Sequence, residues 1–382
     1  EMFRDRPRDG TRWTLPHPTA AAACPGPFLL RPAPPALRRV VGVEYVRGRA
    51  PTDKAKRLRA MARHEVVLSA GAVMTPKLLL LSGVGEAAKL RRLGITLVYD
   101  NPAVGRGLAD GVYAIMQWAT RKRNFFKCRL GTQAEEDQPH ADYCAQQRAM
   151  YAAGHRSNSS LGSPGMSVGA FLRSPYAKGP EPDLQLTVHP WDKFSRPWSK
   201  RLVGVASMEI ANNHPASRGW VELRSSRFTD PPLFAGPYLR DANDSRPLQW
   251  AMRQVRRIAG LEPMAQVVQE EILPGKHAVS DAQLFDAIAC GPAQFRTLGR
   301  PACDRSELPV NHLAGTARLG DPSDPRAVVD RYLRVIGVHG LRVADASVMP
   351  APPSGNTHAT CVMIGERAAQ FIIDERQSRR RS

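Results

Sequence analysis

The sequence predicts a mixed fold of the α/β plus α+β class, in which parts of an α/β domain frame a second domain built on an antiparallel sheet flanked by helices. Three observations predict it. An apolar strand runs into a helix within residues 64–93, and another strand runs into a long terminal helix within residues 340–374. Between them, strand-like runs follow one another before any helix begins, the order of an antiparallel sheet rather than of βαβ units. The 382 residues, 42% of them hydrophobic, supply enough apolar material for a sizeable core.

Each element has its own justification. Residues 1–37 are rich in Pro and Ala, lack periodicity, and are expected to be loop or poorly ordered chain. VVGVEYVRG at 40–48 alternates as a strand does, and HEVVLSAGA at 64–72 reads as a buried strand ending in small residues. A helix is expected to open with Thr75 at its N-cap and Pro76 at its first position, stopping at Ser82-Gly83-Val84-Gly85. A second short helix, 86–93, ends at Gly94, and residues 95–111 read as a strand followed by a Gly-rich loop. Beyond residue 112 the runs VGAFLR, PDLQLTVHP, LVGVASMEIA and GWVELRS are strands separated by turn residues, followed by a helix at 244–261. NHLAGTARLG then forms a loop, AVVDRYLRVIGVHGLRVADAS a strand pair, and a helix over about 361–374 closes the fold.

Composition narrows the function. A net charge of +19 raises nucleic acid as a partner. The basic clusters at 54–64, 121–129 and 376–382 lie in no nucleic-acid-binding motif, so solvated surface is the better account and no nucleic-acid partner is expected. No apolar run approaches the ~20 residues of a membrane span, so no transmembrane segment is expected and the chain reads as soluble. Cys24, Cys128, Cys144, Cys290, Cys303 and Cys361 form no C-x-x-C pair and stand near no His at zinc spacing, so no metal is expected. The chain opens on Glu1 without a signal-peptide pattern, which reads as a fragment or processed product and leaves the compartment open.

Three segments carry chemistry. A strand ending Ser69-Ala70-Gly71-Ala72 lets backbone pass close to a planar or phosphate-bearing ligand, although tight strand–helix packing explains the same residues. His312 stands in a Gly- and Thr-containing loop, where a lone histidine is by default a structural group. Asp345 closes a strand, where its carboxylate suits sugar hydroxyls or the orientation of a phosphate. Asn356, Thr357 and His358 follow just before the terminal helix, whose unpaired N–H groups favour an anion, and Asn356 is equally suited to a turn or cap.

Together these segments resemble the glucose-methanol-choline (GMC) oxidoreductase family. The likeness is carried by SAGAVMTPKLLLLSGVG at 69–85, HLAGTARLG at 312–320 and LRVADASVMPAPPSGNT at 341–357, in the family's order, and extends over about residues 38–374. The resemblance implies FAD as cofactor and oxidation of the CH–OH group of a small-molecule alcohol by hydride transfer to flavin N5. It implies His312 as the general base and Asn356 beside it at the substrate oxygen. Ala70, Gly71, Asp345, Ala346, Asn356 and Thr357 match positions that approach the cofactor. It further implies a partial FAD-binding, Rossmann-like domain in two pieces, 38–111 and 306–382, around a substrate domain at 112–305, after an N-terminal segment 1–37.

Departures from the pattern leave alternatives. The G-x-G-x-x-G of the dinucleotide-binding unit would precede residue 1, so the chain by itself is expected to hold FAD weakly. GRGLADG has Asp110 at the third glycine, and the family loop N-L-x-D-H reads Gly-Leu-Ala-Asp-Gly at 107–111. A catalytically inactive remnant kept as a binding protein is therefore one alternative. A light-driven fatty-acid decarboxylase is a lesser one, since no Cys stands in 169–190 and Thr187 or its neighbours lie where an Arg is sought. The substrate and the electron acceptor, oxygen or another, are left open.

Overall fold

The computed structural model describes residues 24–31, 38–46, 56–121, 138–154, 168–189, 205–236, 238–289 and 310–381. The expected loop at 1–23 and most of the basic cluster at 121–129 lie outside them. In chain order the elements are β1 (Cys24–Arg31), β2 (Arg39–Val46), β3 (Leu58–Met61), β4 (Val66–Leu68), α1 (Gly71–Leu81), β5 (Val84–Gly85), α2 (Ala87–Arg92), β6 (Tyr99–Asp100), β7 (Arg106–Leu108) and β8 (Tyr113–Thr120). They continue with α3 (Gln138–Ala152), β9 (Val168–Leu172), β10 (Leu184–His189), β11 (Val205–Asn212), β12 (Gly219–Glu222), β13 (Leu233–Ala235), α4 (Ala242–Ala259), α5 (Met264–Val267), β14 (Val268–Leu273), α6 (Asp281–Ala289), β15 (Leu341–Val343) and α7 (Thr357–Arg381), with a 3-10 turn at Ala346–Val348.

The α/β part is built on β4 and β15, which lie parallel in register Leu341–Val66 to Val343–Leu68 although 275 residues apart in sequence. Both are three residues long, Val-Val-Leu and Leu-Arg-Val, and Leu68, Leu341 and Val343 bury with Leu78, Leu79, Val329 and Ile364 in one core. Full burial of such aliphatic side chains stabilises the fold by about 1.5–3 kcal/mol each, so this short pairing is held by packing more than by its ladder. β1, β2 and β3 form an antiparallel sheet beside it. The strand Cys24–Arg31 lies within the stretch expected to be loop: Pro and Ala depress local β preference there, and pairing with β2 supplies the ladder that composition does not reveal.

α1 also differs from expectation. It begins at Gly71, so Thr75 and Pro76 stand inside it rather than at its start. A proline at 76 removes the N–H that would bond the Ala72 carbonyl four residues earlier. The Thr316 hydroxyl takes its place, donating to Ala72 O at 2.6 Å. The helix therefore continues through its proline on a tertiary donor.

The second part is a five-stranded antiparallel sheet in the order β14-β8-β11-β10-β9. Leu184 and Leu186 of β10, Met208 and Ile210 of β11 and Met116 and Trp118 of β8 point to one face, which packs on Leu248, Met252 and Val255 of α4 and Leu284 of α6. The period-two alternation of strands then directs Gln185, Thr187, His189, Ser207 and Glu209 to the opposite face. That polar face carries Gln185, which hydrogen-bonds Asn356. β12, expected among these strands, instead joins β7 and β13 in a separate sheet. Asp244, in the first turn of α4, accepts from the Ala216 N–H at 2.6 Å and from Ser217, turning the chain away after β11. α7 runs from Thr357 to Arg381, longer at both ends than the expected 361–374, and carries the basic tail as helix.

Candidate functional site

His312 is held by a zipper of two glycine-containing strands. Ala109 and Ala314 exchange backbone hydrogen bonds at 2.9 and 3.0 Å, the Val310 N–H donates to Gly111 O at 3.0 Å, and the Gly105 N–H donates to Thr316 O at 2.8 Å. Gly315 is obligatory: its φ is +91°, and a Cβ there would stand 2.8 Å from Gly107 O. The glycines of GRGLADG thus serve close backbone approach, and Asp110 lies under the His312 loop. The buried Asp110 carboxylate accepts the His312 backbone N–H at 2.9 Å and the Tyr238 hydroxyl at 2.9 Å.

Electrostatics follow from burial. Desolvation pushes the Asp110 carboxyl above its ordinary value, against the hydrogen bonds from His312 and Tyr238. Desolvation lowers His312 below the usual imidazole value, opposed by the Asp110 charge. His312 is therefore a neutral imidazole at neutral pH, able to accept a proton.

Asn356 reaches His312 from the other side, with its Nδ2 3.0 Å from His312 Nε2 across 44 residues of sequence. The loop before α7 that carries Asn356 is fastened to the sheet. Asn213 Nδ2 donates to Ser354 O at 3.0 Å, His214 Nε2 lies 2.9 Å from Ser354 Oγ, and Gln185 Nε2 donates to Asn356 Oδ1 at 3.2 Å. Gly355 sits against the Phe171 ring, which a Cβ would approach to 3.3 Å.

The remaining expected residues gather at the carboxyl ends of β4 and β15, where ligands bind in open α/β sheets. Ala70 is exposed, Gly71 has φ +82°, and open space lies where its Cβ would stand. Asp345 accepts three hydrogen bonds from the protein itself. One oxygen accepts the Gly71 N–H at 2.9 Å and the Thr75 hydroxyl at 2.6 Å, and the other accepts the Ser347 N–H at 2.8 Å. It joins the start of α1 to the 3-10 turn and so holds Gly71 and Ala346 in place. Thr357 opens α7, placing that helix's unpaired N–H groups beside Asn356.

Asp110, Tyr238 and Gln185 are the site residues that sequence reasoning did not single out. Asp110 had a signal, since it keeps the aspartate of the altered loop at 107–111. Gln185 and Tyr238 had none, standing 171 residues from Asn356 and 128 from Asp110 in sequence. A cavity of about 990 Å³ lies elsewhere, lined by Arg38, Arg39, Arg334, His339 and Arg376 among others. It does not include His312 or Asn356, so chemistry rather than volume locates the site.

A histidine and an asparagine amide thus meet within hydrogen-bonding distance, with a polar antiparallel sheet behind the asparagine, in a fold of the α/β plus α+β class. The chain belongs to the GMC oxidoreductase family, whose N- and C-terminal family models match residues 32–112 and 215–365. It is 32% identical over 335 residues to the mitochondrial choline dehydrogenase of Homo sapiens, covering 87% of this chain and 51% of that protein. It is 34% identical over 324 residues to choline oxidase of Arthrobacter globiformis, covering 83% and 50% respectively. Among solved structures it resembles pyridoxine 4-oxidase from Mesorbium loti, with a TM-score of 0.65 and 25% identity over 90% of this chain and 56% of that one. The chain spans about half the length of the curated relatives it matches.

Proposed function

We propose that this chain carries the reactive part of an FAD-dependent oxidoreductase that oxidises the CH–OH group of a small alcohol. The observation that carries the reading is the His312–Asn356 pair, 3.0 Å apart. The residues fit a flavin. The exposed Ala70, the open space at Gly71 and the N-terminus of α7 leave room and backbone donors for a flat, anion-bearing ring system, with Ala346 and Thr357 beside them. FAD, when bound, supplies the acceptor of two electrons and the carbinol hydrogen.

The chain's own residues handle the proton. An alcohol oxygen that enters between the pair donates its hydrogen to His312 Nε2 and accepts from Asn356 Nδ2, so the amide orients the oxygen while the imidazole takes its proton. Burial keeps His312 neutral beforehand. The Asp110 charge stabilises the imidazolium afterwards, and its hydrogen bond to the His312 N–H fixes where the ring stands. The relatives named choline dehydrogenase and choline oxidase support an alcohol as the substrate class. Stopped-flow measurement of flavin reduction in the FAD-loaded protein, over a panel of small alcohols, tests the reading. His312→Ala is expected to slow reduction by ~100-fold or more, the range for loss of a positioned base. Unchanged reduction by an accepted alcohol would sink it.

A further inference from the structure

We propose that Gln185 is a positioning residue for the His312 base, its side-chain amide setting, through Asn356, which imidazole nitrogen carries the lone pair. The proposal rests on the reading of His312 as the base. Gln185 stands on β10 on the face opposite the buried Leu184 and Leu186, and its Nε2 donates to Asn356 Oδ1 at 3.2 Å. That contact leaves Asn356 Nδ2, which offers only hydrogens, 3.0 Å from His312 Nε2. Nε2 must then be the acceptor, and the neutral ring holds its proton on Nδ1. The proton of an alcohol has one ring nitrogen to go to, the one facing Asn356.

The far end of the chain of amides explains why the residue is glutamine. Gln185 Oε1 is buried and makes no hydrogen bond among the described residues, an uncommon arrangement for a polar side-chain atom. Once His312 has taken the proton and the oxidised product has left, Nε2 is a donor and requires an oxygen. Asn356 meets this by turning Oδ1 to the ring, which brings Nδ2 to Gln185, where Oε1 is the waiting acceptor. A side chain with both a donor and an acceptor serves the ring before and after proton transfer. A carboxylate serves only the second state, and a thioether neither.

Nitrogen-15 labelling of histidine in this chain, read by two-bond ¹H–¹⁵N correlation, reports the tautomer without cofactor or turnover. The His312 signals are assigned by their loss in His312→Ala. In the wild type the neutral ring should carry its proton on Nδ1. In Gln185→Glu it should carry it on Nε2, and in Gln185→Met the two tautomers should mix. In the FAD-loaded protein, kcat should fall by about 10-fold in Gln185→Met and by ~100-fold or more in Gln185→Glu, with KM little changed, since a base in the wrong tautomer loses more than one merely loosened. An Nε2 proton in the neutral wild-type ring, or one tautomer in all three proteins, overturns the proposal; the wild-type spectrum decides even if a variant does not fold. A tautomer that follows residue 185 while His312→Ala leaves flavin reduction intact would support the positioning and remove the base assignment alone.

Discussion

Replacing Thr316 by valine tests how α1 continues through its proline. The substitution keeps the shape of the side chain and deletes the hydroxyl that donates to Ala72 O at 2.6 Å. Thr316 is fully buried and Ala72 is 5% exposed, so water does not replace the donor. The i+4 partner is no help, because residue 76 is proline. A buried acceptor deprived of its donor costs about 1–3 kcal/mol. With an unfolding entropy near 2.1 cal/mol/K per residue, that loss lowers the midpoint of a chain this long by roughly 1–4 °C. Urea unfolding followed by tryptophan fluorescence measures the same quantity isothermally. Pro76→Ala restores an N–H toward Ala72 O, so Thr316→Val should cost less in that background, with a coupling of about 0.5 kcal/mol or more. A Thr316→Val protein as stable as wild type, or equal costs in both backgrounds, would refute the argument.

Two further predictions concern the His312 loop. The Asp110 charge opposes burial in setting His312, so Asp110→Asn should lower the His312 pKa further. The base is active once it has lost its proton, so kcat/KM rises with pH through a midpoint below the ordinary imidazole value, and this limb should move to lower pH in the variant; an upward shift would contradict the assignment. The amide oxygen that Asp110→Asn introduces still accepts the His312 N–H, which keeps the loop in place. Gly315→Ala forces a side chain into left-handed backbone and against Gly107 O. It should cost at least about 1–2 kcal/mol in denaturant unfolding and part His312 from Asn356, and a neutral result would show that the two glycine strands are not in tight contact.

Much of the site was legible because its parts are local. Strand, polar turn and helix around Asp345 and Asn356 lie within one continuous stretch, as do the strand end at Ala70–Gly71 and the His312 loop. The resemblance of the three segments together pointed to one chemistry where each alone had an ordinary structural explanation. The helix at 244–261 was legible for the same reason. It begins two residues earlier, at Ala242, because the Asp241 side chain caps it by accepting from the Asn243 N–H.

What the sequence determined by itself is the flanking strand-and-helix elements and, through the resemblance of three segments, the candidate pair His312 and Asn356, since periodicity, caps and motif spacing act over a few residues. What tertiary structure alone decided is how those side chains are held. The His312 N–H meets Asp110 from 202 positions away, Asn356 meets Gln185 from 171, and Pro76 is accommodated in α1 by a threonine 244 residues beyond Ala72. The Asp345 carboxylate accepts from Gly71, Thr75 and Ser347 once β4 and β15 pair. A hydrogen bond is short-ranged and directional, so which groups it joins depends on the packed arrangement of strands and not on the spacing of residues along the chain.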